Sequence, residues 1–119
     1  MTNFVEYERT RSRQRTGRTV TVLARGLLVL SVDTMEALGH PAAIRFLTDR
    51  DEKLLGFRPA EHGPKTNAVN SRSRNVSAAQ VLKFLGADLT ASRRYPLIEI
   101  DGTWCIDLKS PGTEVGRGR

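Results

Sequence analysis

The sequence predicts an α+β fold: two helix-plus-β-hairpin units packed as a pseudo-two-fold single domain, with antiparallel strands and a basic N-terminal strand or arm. Three observations lead there. A chain of 119 residues with 39% hydrophobic side chains can bury one core and no more. A helical pattern followed by alternation around a polar turn occurs twice, and the first 18 residues carry five arginines with no aliphatic residue after Val5. The expected organisation is a basic arm or edge strand at 1–18, a single domain at 19–108 with repeat units near 19–59 and 66–108, and a disordered polar tail at 109–119.

Residues 19–32, TVTVLARGLLVLSV, are β-branched and aliphatic, with Arg25-Gly26 as the only break, so they read as strand, kink, strand. Asp33-Thr34-Met35-Glu36 has the form of a capping box with Asp33 as the cap, and Gly39 and Pro41 close a short helix with Met35 and Leu38 inward. Residues 42–59, AAIRFLTDRDEKLLGFRP, alternate around a polar turn and predict a hairpin that buries Ile44, Phe46 and Leu54 or Leu55. Residues 60–75 are polar, contain Gly63-Pro64 and read as a linker. Ser77 and Gln80 form a second capping box. Ala78, Val81, Leu82 and Leu85 follow at i, i+3, i+4 and i+7, and Gly86 ends a helix over 77–86. Residues 95–108 alternate around Asp101-Gly102, a two-residue turn signal, and offer Leu97 or Ile98, Ile100, Trp104 and Ile106 to the core. The segments LSVDTMEALG and VSAAQVLKFLG match in form, and each precedes a hairpin. Two units of about 30 residues, unable to bury a face alone, are expected to pack face to face.

Nineteen Lys and Arg against thirteen Asp and Glu give a net charge of +6, which favours a polyanionic partner. The single cysteine, Cys105, rules out an internal disulfide and every site built on two cysteines, and fits a reducing cytoplasm. No apolar run approaches the roughly 20 residues that cross a bilayer, so no membrane role is expected. Enzyme constellations are thin. His40 sits at a helix end and His62 in the linker, Asp49 and Asp51 lie in a turn with Arg50 and Lys53, and Pro64 removes an amide that a phosphate-cradling loop needs. No cofactor and no metal site is expected.

The arginine pattern carries the functional expectation. Arg9, Arg11, Arg13 and Arg15 occupy alternate positions, so in an extended chain they point to one side about 6.6 Å apart. That spacing suits successive phosphates of one strand. Arg18 continues the series, and Arg72 and Arg74 repeat the alternation among Asn70, Ser71, Ser73 and Asn75. Lys65 stands in the same linker, and Arg93-Arg94 form a further patch before Tyr95. The same arginines are also what a solvated tail would show in a chain with fifteen arginines and four lysines.

Residues 19–59 resemble the looped-hinge, swapped-hairpin DNA-binding domain of AbrB, SpoVT and MazE-type proteins. The resemblance lies in Gly26, Leu28-Val29-Leu30-Ser31, Ala37-Leu38-Gly39 and the hairpin IRFLTDRDEKLLGFRP. It implies a β-barrel made by intertwining two copies, DNA binding as an antitoxin or transition-state regulator, and Arg25 as a DNA contact. Leu27, Ser31, Asp33 and Glu36 depart from that family's pattern.

The expected function is therefore a non-enzymatic DNA-binding protein of regulator or nucleoid-associated type, a monomer or homodimer. It would grip phosphates through Arg9, Arg11, Arg13, Arg15, Arg18, Arg25, Lys65, Arg72, Arg74, Arg93 and Arg94. The alternative is a small protein-interaction module, such as a phage-encoded or antitoxin-like factor that docks on an acidic host protein.

Overall fold

The computed structural model describes residues 17–115. The β-branched run forms β1 (Thr19–Val22) and β2 (Leu27–Leu30), with every second side chain buried, so Val20, Val22, Leu28 and Leu30 face the core. Between them Gly26, at φ +93°, closes the turn by donating its N–H to the Leu23 carbonyl at 2.8 Å. Helix α1 (Val32–Leu38) follows, and Gly39 ends it in the left-handed conformation.

The N-cap of α1 is Ser31, not Asp33. The Ser31 hydroxyl accepts from Thr34 N at 3.1 Å and from Thr19 N at 3.1 Å, and donates to the Gly17 carbonyl at 2.8 Å. The tertiary partners on β1 decide this choice, because they stand next to the end of β2 and out of reach of a local capping pattern.

The first hairpin has the expected place: β3 (Ala43–Asp49) and β4 (Leu54–Ala60) pair from Ala43↔Ala60 to Asp49↔Leu54. Ile44, Leu55 and Phe57 are buried, and Phe46 is half-buried against Phe57. Residues 60–75 are not a linker. They contain β5 (Asn67–Ala68), which extends the hairpin beside β3, and a turn leading to β6 (Asn75–Ser77), which pairs with β2. Because Ser77 is used in β6, helix α2 is shorter than expected, Ala79–Phe84, and its cap Ala78 offers no side-chain bond. The last third forms β7 (Arg93–Pro96), β8 (Ile98–Ile100) and β9 (Thr103–Asp107). Asp101 and Gly102 join β8 to β9 with both φ positive, the conformation of a tight hairpin turn. Residues 113–114, expected in a disordered tail, form β10 (Thr113–Glu114) against β7.

The fold class expected from the sequence is corrected by this arrangement. The described residues are 41% strand and 13% helix, in two five-stranded antiparallel sheets with two short helices. Sheet one has the order β10-β7-β1-β2-β6 and sheet two the order β5-β3-β4-β9-β8. The two similar hairpins do not pack face to face. They lie edge to edge in sheet two, joined by β4 and β9 from Leu54↔Asp107 to Phe57↔Trp104. Backbone hydrogen bonding across that seam satisfies two strand edges that face-to-face packing would leave open. One core lies between the sheets, with Val20, Leu28, Leu30 and Tyr95 from sheet one meeting Ile44, Leu55, Phe57 and Ile106 from sheet two. Leu38, Leu82 and Leu85 bring α1 and the α2 segment onto it. Ile100, expected in the core, is 40% exposed.

Candidate nucleic-acid interface

A strand turns successive side chains to opposite faces. With Ile44, Phe46 and Phe57 facing the core, Arg45 and Arg58 must face outward on sheet two. The β3–β4 register sets them directly opposite each other, and both are exposed. Such partners have Cα atoms about 4.5–5.5 Å apart, where two like charges oppose folding. Neither makes a salt bridge among the described residues, whose ion pairs are Arg93–Asp88 and Lys109–Glu52. Lys65 is exposed in the turn before β5, but it does not extend this pair: Asn67 stands opposite core-facing Ile44, so the position two residues earlier has the parity of the core-facing row and not of Arg45 and Arg58.

Further along the same face the chemistry changes. Leu47, Gly56 and Cys105 form the next row and Asp49, Leu54 and Asp107 the one after. Space at Gly56 is tight, since a Cβ would come within 3.1 Å of Thr103 Cγ2 and 3.2 Å of Leu47 Cβ. Cys105 is buried, and burial pushes its thiol pKa above the ordinary value, so it is no ready nucleophile.

Beside Arg58 lies a notch of about 160 Å³ lined by Leu47, Phe57, Arg58, Pro59, Gly102, Thr103 and Trp104. The Arg18 guanidinium carbon sits 5.2 Å from the centre of the Trp104 ring, within cation–π range. Arg18 is exposed and follows Gly17 at the start of the described chain. Asp33, Glu36 and Ala37 of α1 border a separate hollow with Gly17 and Arg18, which places carboxylates on that flank.

The remaining expected residues do not join this pair in one surface. Arg9, Arg11, Arg13 and Arg15 lie outside the described residues. Arg25 is exposed in the β1–β2 turn, and Arg93 pairs in register with Val22 at that end of sheet one. Gly17 and Arg74 lie at the opposite end, through the bonds of Ser31 to the Gly17 carbonyl and of Leu30 N to the Arg74 carbonyl. Arg93 is held internally: Nη1 donates to the Pro111 carbonyl at 3.1 Å and Nη2 to Asp88 Oδ2 at 3.4 Å. Asp88 titrates below its usual range, first because the Thr90 hydroxyl and backbone N–H bond to it and then because Arg93 is near. Arg74 is likewise structural, with φ +59° and Nε donating to the Leu30 carbonyl at 2.8 Å. Arg72 is exposed, on a turn held by Asn70 Oδ1, which accepts from the N–H groups of Arg72 and Ser73. Arg94 points away from the core on β7, opposite Thr21 and Thr113. Of the arginines singled out from the sequence, Arg93 and Arg74 are thus tied into the fold, and Arg25 lies at the far end of sheet one.

Arg45 and Arg58 were not among the residues singled out from the sequence. The signal was present, since a hairpin centred between Asp51 and Glu52 necessarily sets position 45 opposite position 58. Among the described residues no group of His, Cys, Asp and Glu could hold a metal ion, and no helix is long and apolar enough to cross a membrane. No protein-family model, curated protein or solved structure matches the chain, and none identifies an AbrB-type domain in it.

Proposed function

We propose that this protein is a non-enzymatic nucleic-acid-binding protein that grips the phosphate backbone of DNA through Arg58 and Arg45, in a regulatory or nucleoid-associated role. The observation that carries this reading is the exposed cross-strand pair Arg45–Arg58, which has no acidic partner among the described residues. Two guanidinium groups held side by side repel each other in the free protein, and a phosphodiester between them replaces that repulsion with charge-assisted hydrogen bonds. The described residues carry thirteen Lys and Arg against eleven Asp and Glu, so most of the net charge of +6 resides in the chain ends, shared equally between Arg9 to Arg15 with Glu6 and Glu8 at one end and Arg117 and Arg119 at the other. Arg9 to Arg15 precede the described residues in sequence and supply a further electrostatic tether.

The test is fluorescence anisotropy with labelled duplex DNA at 50 and 200 mM salt. Binding is expected at the lower salt, and the Arg45→Ala/Arg58→Ala variant should weaken every sequence alike. Its log-log salt slope should be shallower by about 1.8, two phosphate contacts at about 0.9 each. Arg25→Ala should bind as the unaltered protein does. Absence of duplex binding at 50 mM salt, or a double variant that binds normally, overturns the reading.

One observation favours a second reading, a protein-interaction module. Leu47, Leu54 and Ile100 surround a groove of about 250 Å³ over Gly56 and Cys105, rimmed by Asp49 and Asp101. Ile100 is exposed on β8, an edge strand with one side open to pairing. If duplex binding fails, this groove and edge become the surface to test.

A further inference from the structure

The outward face of sheet two carries more than its arginine pair. Strand register and alternation set three rows across it: Arg45 and Arg58 at one end, Leu47, Gly56, Cys105 and Ile98 in the middle, and Asp49, Leu54 and Asp107 at the other end. Leu47, Leu54, Ile98 and the exposed Ile100 lie outside the hydrophobic core between the sheets, so this apolar band belongs to a second, outer surface. Over Gly56 and Cys105 the band opens into the groove of about 250 Å³. Its charged ends are unpaired, because the ion pairs of the described residues, Arg93–Asp88 and Lys109–Glu52, use none of these four side chains. Turn amides hold the carboxylates in place: Asp49 Oδ1 accepts from Glu52 N at 3.2 Å and Asp107 Oδ1 from Lys109 N at 2.9 Å.

We propose that this face pairs reversibly with the same face of a second copy of the chain. A two-fold axis along the middle row turns one copy over, so that its arginine row meets the aspartate row of the other while the two apolar rows meet each other. Arg45 then stands over the partner's Asp49, and Arg58 lies between the partner's Asp49 and the partner's Asp107. The charge pattern selects this occupant. A uniformly acidic or basic partner covering the whole face would meet its own sign at one end, whereas a second copy meets the opposite sign at both. Three rows about 7 Å apart on four strands about 4.8 Å apart give roughly 400 Å² per copy, about 800 Å² in all; this is less than the about 1,200 Å² of stable complexes, so the pairing is weak and exchangeable. The inference does not depend on the phosphate reading, but both use Arg45 and Arg58, so duplex and second copy exclude each other on one molecule.

Sedimentation equilibrium of the full-length protein over a hundredfold range of concentration reads the pairing. The unaltered protein should pass reversibly from monomer to dimer, and its dissociation constant should rise at least fivefold when added salt screens the charged rows. Arg45→Glu/Arg58→Glu makes the face acidic at both ends, and Asp49→Arg/Asp107→Arg makes it basic at both, so each alone should dissociate at least tenfold more readily. Mixed in equal amounts, the two should form a one-to-one dimer as tight as the unaltered one, because each row again meets its opposite. Leu47→Lys disturbs no turn contact and should also dissociate, and circular dichroism melts report that each variant is folded. Should the aspartate variant fail to fold, Arg45→Glu/Arg58→Glu and Leu47→Lys decide the matter. A chain that stays monomeric throughout the range, altered chains that dimerise as the unaltered one does, or a mixture of folded variants that forms no dimer overturns the proposal. Duplex titration of Asp49→Arg/Asp107→Arg, which keeps Arg45 and Arg58, tests the phosphate reading separately, so either reading can fail alone.

Discussion

Replacing Gly26 with alanine tests how the β1–β2 turn is seated on α2. Gly26 has φ +93°, and an alanine held in left-handed backbone costs about 1–2 kcal/mol. The added Cβ would also lie 2.7 Å from Ala79 Cβ, closer than such carbon atoms approach, and a tight 3.0 Å from Ala79 Cα. Neither contact is the tip of a flexible side chain. Ala79 opens α2, and the adjoining Ala78 N–H donates to the Gly26 carbonyl at 2.9 Å. Turn and helix can separate only by weakening that hydrogen bond, worth about 1 kcal/mol net. The expected loss is about 2–4 kcal/mol. With a urea m-value of about 2 kcal/mol/M, the unfolding midpoint should fall by roughly 1–2 M. The Ala79→Gly change removes one of the clashing atoms, so a double-mutant cycle should return a favourable coupling of about 1 kcal/mol. Strictly additive losses, or a Gly26→Ala cost under about 0.5 kcal/mol, would refute this account of the turn.

Further expectations concern the cap of α1 and the ion pair that secures β7. Ser31→Ala strips the bonds to Thr34 N, Thr19 N and the Gly17 carbonyl, and should lower stability by about 1–2 kcal/mol in thermal melts; Asp33→Ala should cost less, since Asp33 is not the cap. Asp88 has a folded pKa below its unfolded value, so its contribution is present above about pH 3.9 and disappears as pH falls through the folded value. Melting temperatures of the unaltered protein and Asp88→Asn should therefore differ slightly at pH 7 and converge as acid protonates the folded carboxyl. A difference that does not shrink as the pH is lowered below the ordinary aspartate range would contradict the assignment.

The parts of the fold that could be read from sequence are those whose determinants are local. The hairpins at 43–60 and 98–107 show alternation on both arms, and Asp101-Gly102 adopts the two positive φ angles its composition favours. The strand, kink and strand at 19–30 follow from β-branched residues interrupted by Gly26. By contrast, β5, β6 and β10 have two or three residues each, too few to show a period, and exist because sheet edges offer hydrogen-bond partners. The helix expected over 77–86 lost its first residues to β6 for the same reason. At the candidate interface, alternation was enough to turn Arg45 and Arg58 outward, but charge density drew notice to Arg72, Arg74 and Arg93 instead. Of these, Arg74 and Arg93 answer to internal acceptors that no local pattern announces.

By itself, then, the sequence determined where the chain turns, which faces of its longer strands are apolar, and that its charge is positive. Those properties depend on neighbours within a few residues. Tertiary structure alone decided that two similar hairpins join edge to edge into one sheet, that Ser31 also ties α1 to Thr19 and Gly17, and which arginines stay at the surface. Each of these depends on hydrogen bonds and contacts between residues far apart in the chain, made only once two sheets close over a shared core.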